Sequence, residues 1–320
     1  WTDAAIEAGL TEPNSYGDSE IAQNSAKSII NDVTSAASSV AAAETVIETA
    51  FDGLYDGITV DLTPSADNIE LTRGSDTVTG VIKELSIGDR IIDPSTTDAD
   101  VLNVEVIEDI ASNVTVQNVE TVVLNVLSGE REIRVTNWDG VQTYQVIGEG
   151  NVTLTDVQTT EPAYEFNGTA GTDMQVSIND LSTTALADEV SVIVSNGVAG
   201  GTFTLTTETT VETVRVISNG DDANVLTNVV GDNVTTLIIE GDAAFENTGA
   251  FAVTIDAIDA RGVSQADLLT AGATTVLTGT GDDTVTTQAA LTNDTAILMG
   301  AGTDTLVLSD STGGATAELF

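Results

Sequence analysis

The residues of this chain best placed to do chemistry are carboxylates set among glycines. Gly279-Thr280-Gly281-Asp282-Asp283-Thr284-Val285 carries the pattern Gly-x-Gly-x-Asp-x-apolar, and Gly300-Ala301-Gly302-Thr303-Asp304-Thr305-Leu306 repeats it, with Asp283 and Asp304 21 residues apart. In a parallel β-helix the glycines allow a tight turn, the aspartate reaches inward to Ca²⁺, and the apolar residue starts the next strand. Calcium takes roughly six to eight hard oxygens, and such a turn offers carboxylates together with the carbonyls of Gly279, Gly281, Gly300 and Gly302. Degenerate copies widen the set. Gly168 to Met174 keeps the spacing around Asp173, and Arg73 to Thr79 keeps Gly-x-Asp-x-apolar around Asp76. The segment Asp93 to Leu102 offers Asp93, Asp98 and Asp100, with a carboxylate where glycine is expected. Asp76, Asp93, Asp98, Asp100, Asp173, Asp282, Asp283 and Asp304, with those four glycines, are the candidate calcium ligands. At Gly220-Asp221-Asp222, Gly231-Asp232 and Gly241-Asp242 an ordinary tight turn explains the residues equally well.

Other chemistries are poorly supplied. The chain has no histidine and no cysteine, which excludes Ser/His and thiolate nucleophiles, disulfides and Cys-ligated zinc. Paired carboxylates could serve a glycosidase. The 8 basic residues are scattered, however, and leave little to hold an anionic sugar. Arg131 and Arg134, near Trp138, are the close basic pair of the strand-rich region and read as local partners of Glu130 and Glu132. The chain is therefore not expected to be an enzyme. With 51 acidic residues its net charge is −43, a self-repulsion that high salt or bound divalent cations must relieve. That balance argues against nucleic acid, whose binding needs Lys and Arg, and against direct contact with anionic lipid.

The elements that position these groups fall into two kinds. Asp3 to Leu10 reads as a short helix, and Asp18 or Ser19 caps a longer one with an apolar stripe through Ile21, Ile29, Val33, Val40, Ile47, Phe51 and Leu54. From Ile58 onward the helical period disappears. Short alternating or apolar runs such as Ile58 to Leu62, Val190 to Val194 and Thr202 to Thr206 are separated by Gly, Asn and Asp. The phrase Asn118-Val119-Glu120-Thr121-Val122-Val123-Leu124 is echoed at Thr210-Val211-Glu212-Thr213-Val214-Arg215-Val216. Strand-sized units repeating every ~20 residues fit stacked rungs. At 41% hydrophobic the chain can bury a core, and at 4% aromatic that core is expected to be thin and layered.

The reading is mostly β, either solenoid-like or β-helical or a set of stacked β domains, with an α-helical N-terminal section. Its sections are 1–57 (helical), 58–165 and 166–320, divided at Glu161-Pro162, with one continuous solenoid as the other arrangement the pattern allows. No apolar run is long enough for a transmembrane helix. The chain begins at Trp1, which reads as a processed product or part of something longer.

These motifs resemble the RTX-type calcium-binding surface proteins of Gram-negative bacteria, S-layer proteins in particular. Ile69 to Gly80 is similar to the opening segment of such domains, Asp93 to Val104 (DPSTTDADVLNV) to the segment that follows, and Asn118 to Val122 (NVETV) to their recurring rung phrase. The resemblance covers residues 58–320. It implies a secreted protein at the extracellular cell surface that assembles with copies of itself as calcium binds and is held to surface polysaccharide. The glycine repeats are scattered and not in long tandem blocks, which departs from a regular RTX β-roll. The expected function is a non-enzymatic structural subunit of a calcium-stabilised surface assembly, an S-layer or filament. The alternative is a calcium-dependent adhesin.

Overall fold

The computed structural model describes residues 56–308, apart from 82–83, 86, 111–112, 180–187, 208–210, 253 and 290. The helices expected before Ile58 lie outside the described residues. Within them the chain is all strand and winds as a parallel β-solenoid, each turn adding one strand to a 12-stranded sheet that runs from Thr59–Asp61 to Ala296–Leu298. Every pairing is parallel.

Period-two alternation makes this possible. In Val101–Val106 the even positions Leu102, Val104 and Val106 are buried, while Val101, Asn103 and Glu105 face outward. Parallel register stacks like on like, so Val78, Leu102, Val122, Tyr144, Tyr164, Val192 and Val216 form one inward column. Each such side chain contributes roughly 1.5–3 kcal/mol on burial. Four aromatic residues cluster mid-coil, where Trp138, Tyr144, Tyr164 and Phe203 follow one another at centroid separations of 6.2, 6.0 and 5.7 Å, the first two pairs stacked and the last tilted.

Three shorter sheets succeed one another along the other side of the coil. The first is four-stranded and ends at Trp138–Asp139; the second is five-stranded, from Glu130–Arg134 to Asn228–Gly231. The third, also five-stranded, runs from Asn224–Leu226 to Thr305–Leu308. The long sheet continues through Glu161-Pro162, since Ala163–Asn167 pairs with Thr143–Gly148 on one side and Asp188–Ser195 on the other. Neighbours in this fold are a turn apart in sequence, which redirects the arginines. Arg134 pairs with Asp156 of the next turn at 2.9 Å, and Arg131 donates to the Glu130 carbonyl, so neither makes the local carboxylate pair that adjacency suggested.

Candidate metal centre

At the first three re-entries into the long sheet, before Thr59, Thr77 and Val101, the residue just before the strand has a backbone N–H that strand pairing does not satisfy. Acidic side chains from the following turn take it. Ile58 N donates to Asp76 Oδ1 (2.6 Å), Asp76 N to Asp100 Oδ1 (2.7 Å), and Asp100 N to Glu120 Oε2 (2.9 Å). This carboxylate ladder is fixed by register, because Thr77, Val101 and Thr121 are aligned and the acidic residue precedes each. Asp93 and Asp98 complete the corner from the loop that follows Arg90–Ile92. Asp93 Oδ2 accepts the Ser95 N–H, and Asp76 also accepts from the Thr72 N–H and hydroxyl.

The result is a buried cluster of carboxylates. Asp76, Asp93 and Asp100 are each no more than 1% exposed, and Glu120 is 6% exposed. Asp76, Asp93 and Asp100 bring oxygens within 4.8 Å of one another, and so do Asp98, Asp100 and Glu120. Two oxygens sharing one calcium at about 2.3–2.6 Å lie at most about 5 Å apart, so both triads have the span of a coordination sphere. Asp93 Oδ1, Asp100 Oδ2 and both oxygens of Asp98 are buried with no hydrogen-bond partner. Orphaned acceptors of this kind are costly and call for a partner.

The electrostatics point the same way. Burial pushes Asp93 up from 3.8 to about 7, opposed by the Ser95 N–H and reinforced by the charges of Asp100, Asp98 and Asp76. Asp100 is likewise driven to about 7 by burial, lowered by the Asp76 N–H and raised again by Asp98, Asp76 and Glu120. All the charges bearing on these two are carboxylates. A divalent cation would compensate them, and hard oxygens without nitrogen or sulfur suit calcium or magnesium.

The C-terminal motifs occupy a different corner, where the chain leaves the long sheet. Their aspartates stack along the coil axis. Asp283 Oδ1 accepts the Ala266 N–H at 2.8 Å, Asp283 N donates to Asp304 Oδ1 at 3.1 Å, and Thr303 N to Asp282 Oδ1 at 2.7 Å. Asp283 is buried and its Oδ2 has no partner, while Asp282 is exposed. The glycines are required by close stacking of backbone on backbone: a Cβ on Gly281 would collide with the Ser264 carbonyl, and one on Gly302 with the Gly281 carbonyl. These residues form no group of three carboxylates among the described residues. Asp173 is exposed and tied to its neighbours through Asn151 and the Thr202 N–H. Of the candidate ligands, the fold therefore gathers Asp76, Asp93, Asp98 and Asp100 and leaves the others on separate corners. It adds Glu120, which sequence reasoning treated only as part of a rung phrase. Its position one turn on from Asp100, directly before a strand, was the available signal.

Fold and cluster together define an acidic parallel β-solenoid with a buried carboxylate centre. No family profile, curated protein or solved structure matches the chain. No helix among the described residues is long and apolar enough to cross a membrane.

Proposed function

We propose that this chain is a non-enzymatic structural subunit of an extracellular surface assembly, an S-layer or filament, whose solenoid is stabilised by calcium. The observation that carries the reading is the corner at Asp76, Asp93, Asp98, Asp100 and Glu120, where buried carboxylates converge with orphaned oxygens. Extracellular fluid supplies calcium at concentrations that fill sites of modest affinity. A chain of net charge −43 gains from such cations both at defined sites and between copies. A long coil built on backbone ladders suits a structural role, and the absence of histidine and cysteine leaves few catalytic groups. Association with further copies and with surface polysaccharide belongs to this proposal.

The test is a calcium titration of the purified chain from EDTA at fixed ionic strength, followed by circular dichroism and light scattering, with magnesium as control. A cooperative, calcium-specific gain in stability and particle mass is expected. A folded, monodisperse monomer throughout would overturn the assembly reading and leave a cell-surface adhesin as the better account.

A further inference from the structure

The five carboxylates of the corner do not form one coordination group. They form two triads, Asp76–Asp93–Asp100 and Asp98–Asp100–Glu120, which meet only at Asp100. The orphaned oxygens divide in the same way. Asp93 Oδ1 belongs to the first triad, the two Asp98 oxygens to the second, and Asp100 Oδ2 stands between them. One divalent cation in the first triad would leave Asp98 with two buried, unpartnered oxygens and Glu120 beside it. The cluster would then keep an excess of three negative charges over the cation. A second cation reduces that excess to one.

The triads also differ in access. All three residues of the first are buried, whereas Asp98 is half-buried. Glu120 lines a recess of about 560 Å³ that Asp139, Glu161 and Thr96 also line. The Asp98 oxygens are themselves buried, but through Glu120 an ion in the second triad would lie next to that recess, while one in the first would be enclosed by side chains.

We infer that this corner binds two divalent cations sharing the Asp100 carboxylate: an inner one held by Asp76, Asp93 and Asp100, and an outer, exchangeable one held by Asp98, Asp100 and Glu120. This rests on the reading of the cluster as a calcium centre and adds its stoichiometry and order of filling. The inner ion binds first, because it removes the repulsion around the most buried carboxylates. The outer ion follows and answers to calcium concentration.

The test counts calcium bound per full-length chain, by elemental analysis after dialysis against calcium buffers. It compares the wild type with the Asp98→Asn/Glu120→Gln double variant and with Asp93→Asn. The double variant disturbs little of the fold: the Asp98 oxygens have no hydrogen bond to lose, and glutamine retains an oxygen for the Asp100 N–H. Loss of one ion is expected in the double variant and in Asp93→Asn, and of both in the triple variant that combines them. Glu120→Gln alone, whose circular dichroism should match the wild type, is expected to weaken the last ion about tenfold or more through the lost ligand charge. A double variant that binds as many ions as the wild type overturns the proposal, and so does a triple variant that loses no more ions than either of the others. A wild-type chain that binds no calcium overturns the calcium reading as well. Calcium stabilisation without the second ion overturns only the pair.

Discussion

Removing calcium should make this chain lose stability steeply as pH rises toward neutrality, and the corner carboxylates say by how much. Asp93 and Asp100 rise from 3.8 to about 7 in the metal-free fold. Between those values the folded chain holds protons that the unfolded chain has released. Stability in EDTA therefore falls as pH rises from about 4 to about 7 and has nothing further to lose from these groups above that. At about 1.4 kcal/mol per pH unit, one such rise is on the order of 4 kcal/mol. Their mutual repulsion enters both rises, so the pair contributes less than twice that. Even so, the effect is comparable to the whole stability of many domains, about 5–15 kcal/mol. Calcium binds the deprotonated forms, so its stabilisation should grow over the same interval and offset the loss. The assay is denaturant unfolding by circular dichroism across this pH range, in EDTA and in saturating calcium at constant ionic strength. General charge repulsion also weakens an acidic chain as pH rises, and Asp93→Asn separates the two causes: the amide oxygen still accepts the Ser95 N–H, but the titrating charge is gone. The variant should lose a large part of the slope in EDTA. An unchanged slope, or metal-free stability that climbs from pH 5 to 7, would refute the argument.

Other corners give narrower expectations. Asp283→Ala leaves the buried Ala266 N–H without its acceptor and should cost about 1–3 kcal/mol in unfolding experiments. Asp283→Asn, which keeps an acceptor, should cost less in EDTA. Gly281→Ala forces a side chain onto the Ser264 carbonyl and should destabilise by about 1–3 kcal/mol. Because a solenoid communicates mainly between neighbouring turns, hydrogen exchange should show the loss concentrated around Gln265 and Thr284. The Tyr164 hydroxyl is buried without a partner, so Tyr164→Phe should be neutral or stabilising by up to about 2 kcal/mol, whereas Tyr164→Ala should cost about 3–5 kcal/mol. Equal loss in the two Tyr164 variants would show that the hydroxyl is satisfied.

The architecture was legible because a stacked coil writes its period into the chain. Thr121 to Leu124 and Thr213 to Val216 belong to long-sheet strands, as their shared phrase suggests. The site was legible in part. Asp93, Asp98 and Asp100 lie close in sequence, and the turn spacing brings Asp76 beside them. Two things were hidden. Glu120 joins the cluster only because Asp100 and Glu120 occupy successive positions in one register column, which requires knowing where the turn begins. The glycine-rich motifs near the C-terminus advertise carboxylates more strongly than the fold assembles them. Their glycines answer to backbone crowding, and Asp282, Asp283 and Asp304 accept amide hydrogen bonds between turns. The same residue pattern thus fits turn geometry as well as metal ligation, and convergence in space is what separates the two readings.

The extent of the carboxylate ladder follows from backbone chemistry. In the first three turns the residue before the long-sheet strand presents an N–H, and an acidic side chain one turn later accepts it: Asp76 for Ile58, Asp100 for Asp76, Glu120 for Asp100. Continuing along the register, the next positions are Gln142 and Pro162. Proline has no N–H to satisfy, and the residue one turn above it is Val190, fully buried and apolar. The ladder itself stops at Glu120, since the Gln142 N–H one turn on donates back to the Glu120 carbonyl at 2.9 Å, and an acidic cap reappears at Glu212, which accepts the Asp188 N–H at 3.3 Å. The corner carboxylates therefore have a folding role that does not depend on metal, and their close stacking is what creates the metal-sized gap. If the centre holds calcium as proposed, its affinity and the stability of the first turns draw on one set of side chains. A substitution that removes a ladder acceptor, such as Asp100→Ala, should then lower both together, whereas Glu120→Gln, which keeps the acceptor, should lower the affinity alone. An Asp100→Ala variant that shifts one without the other would separate the ladder from the metal site.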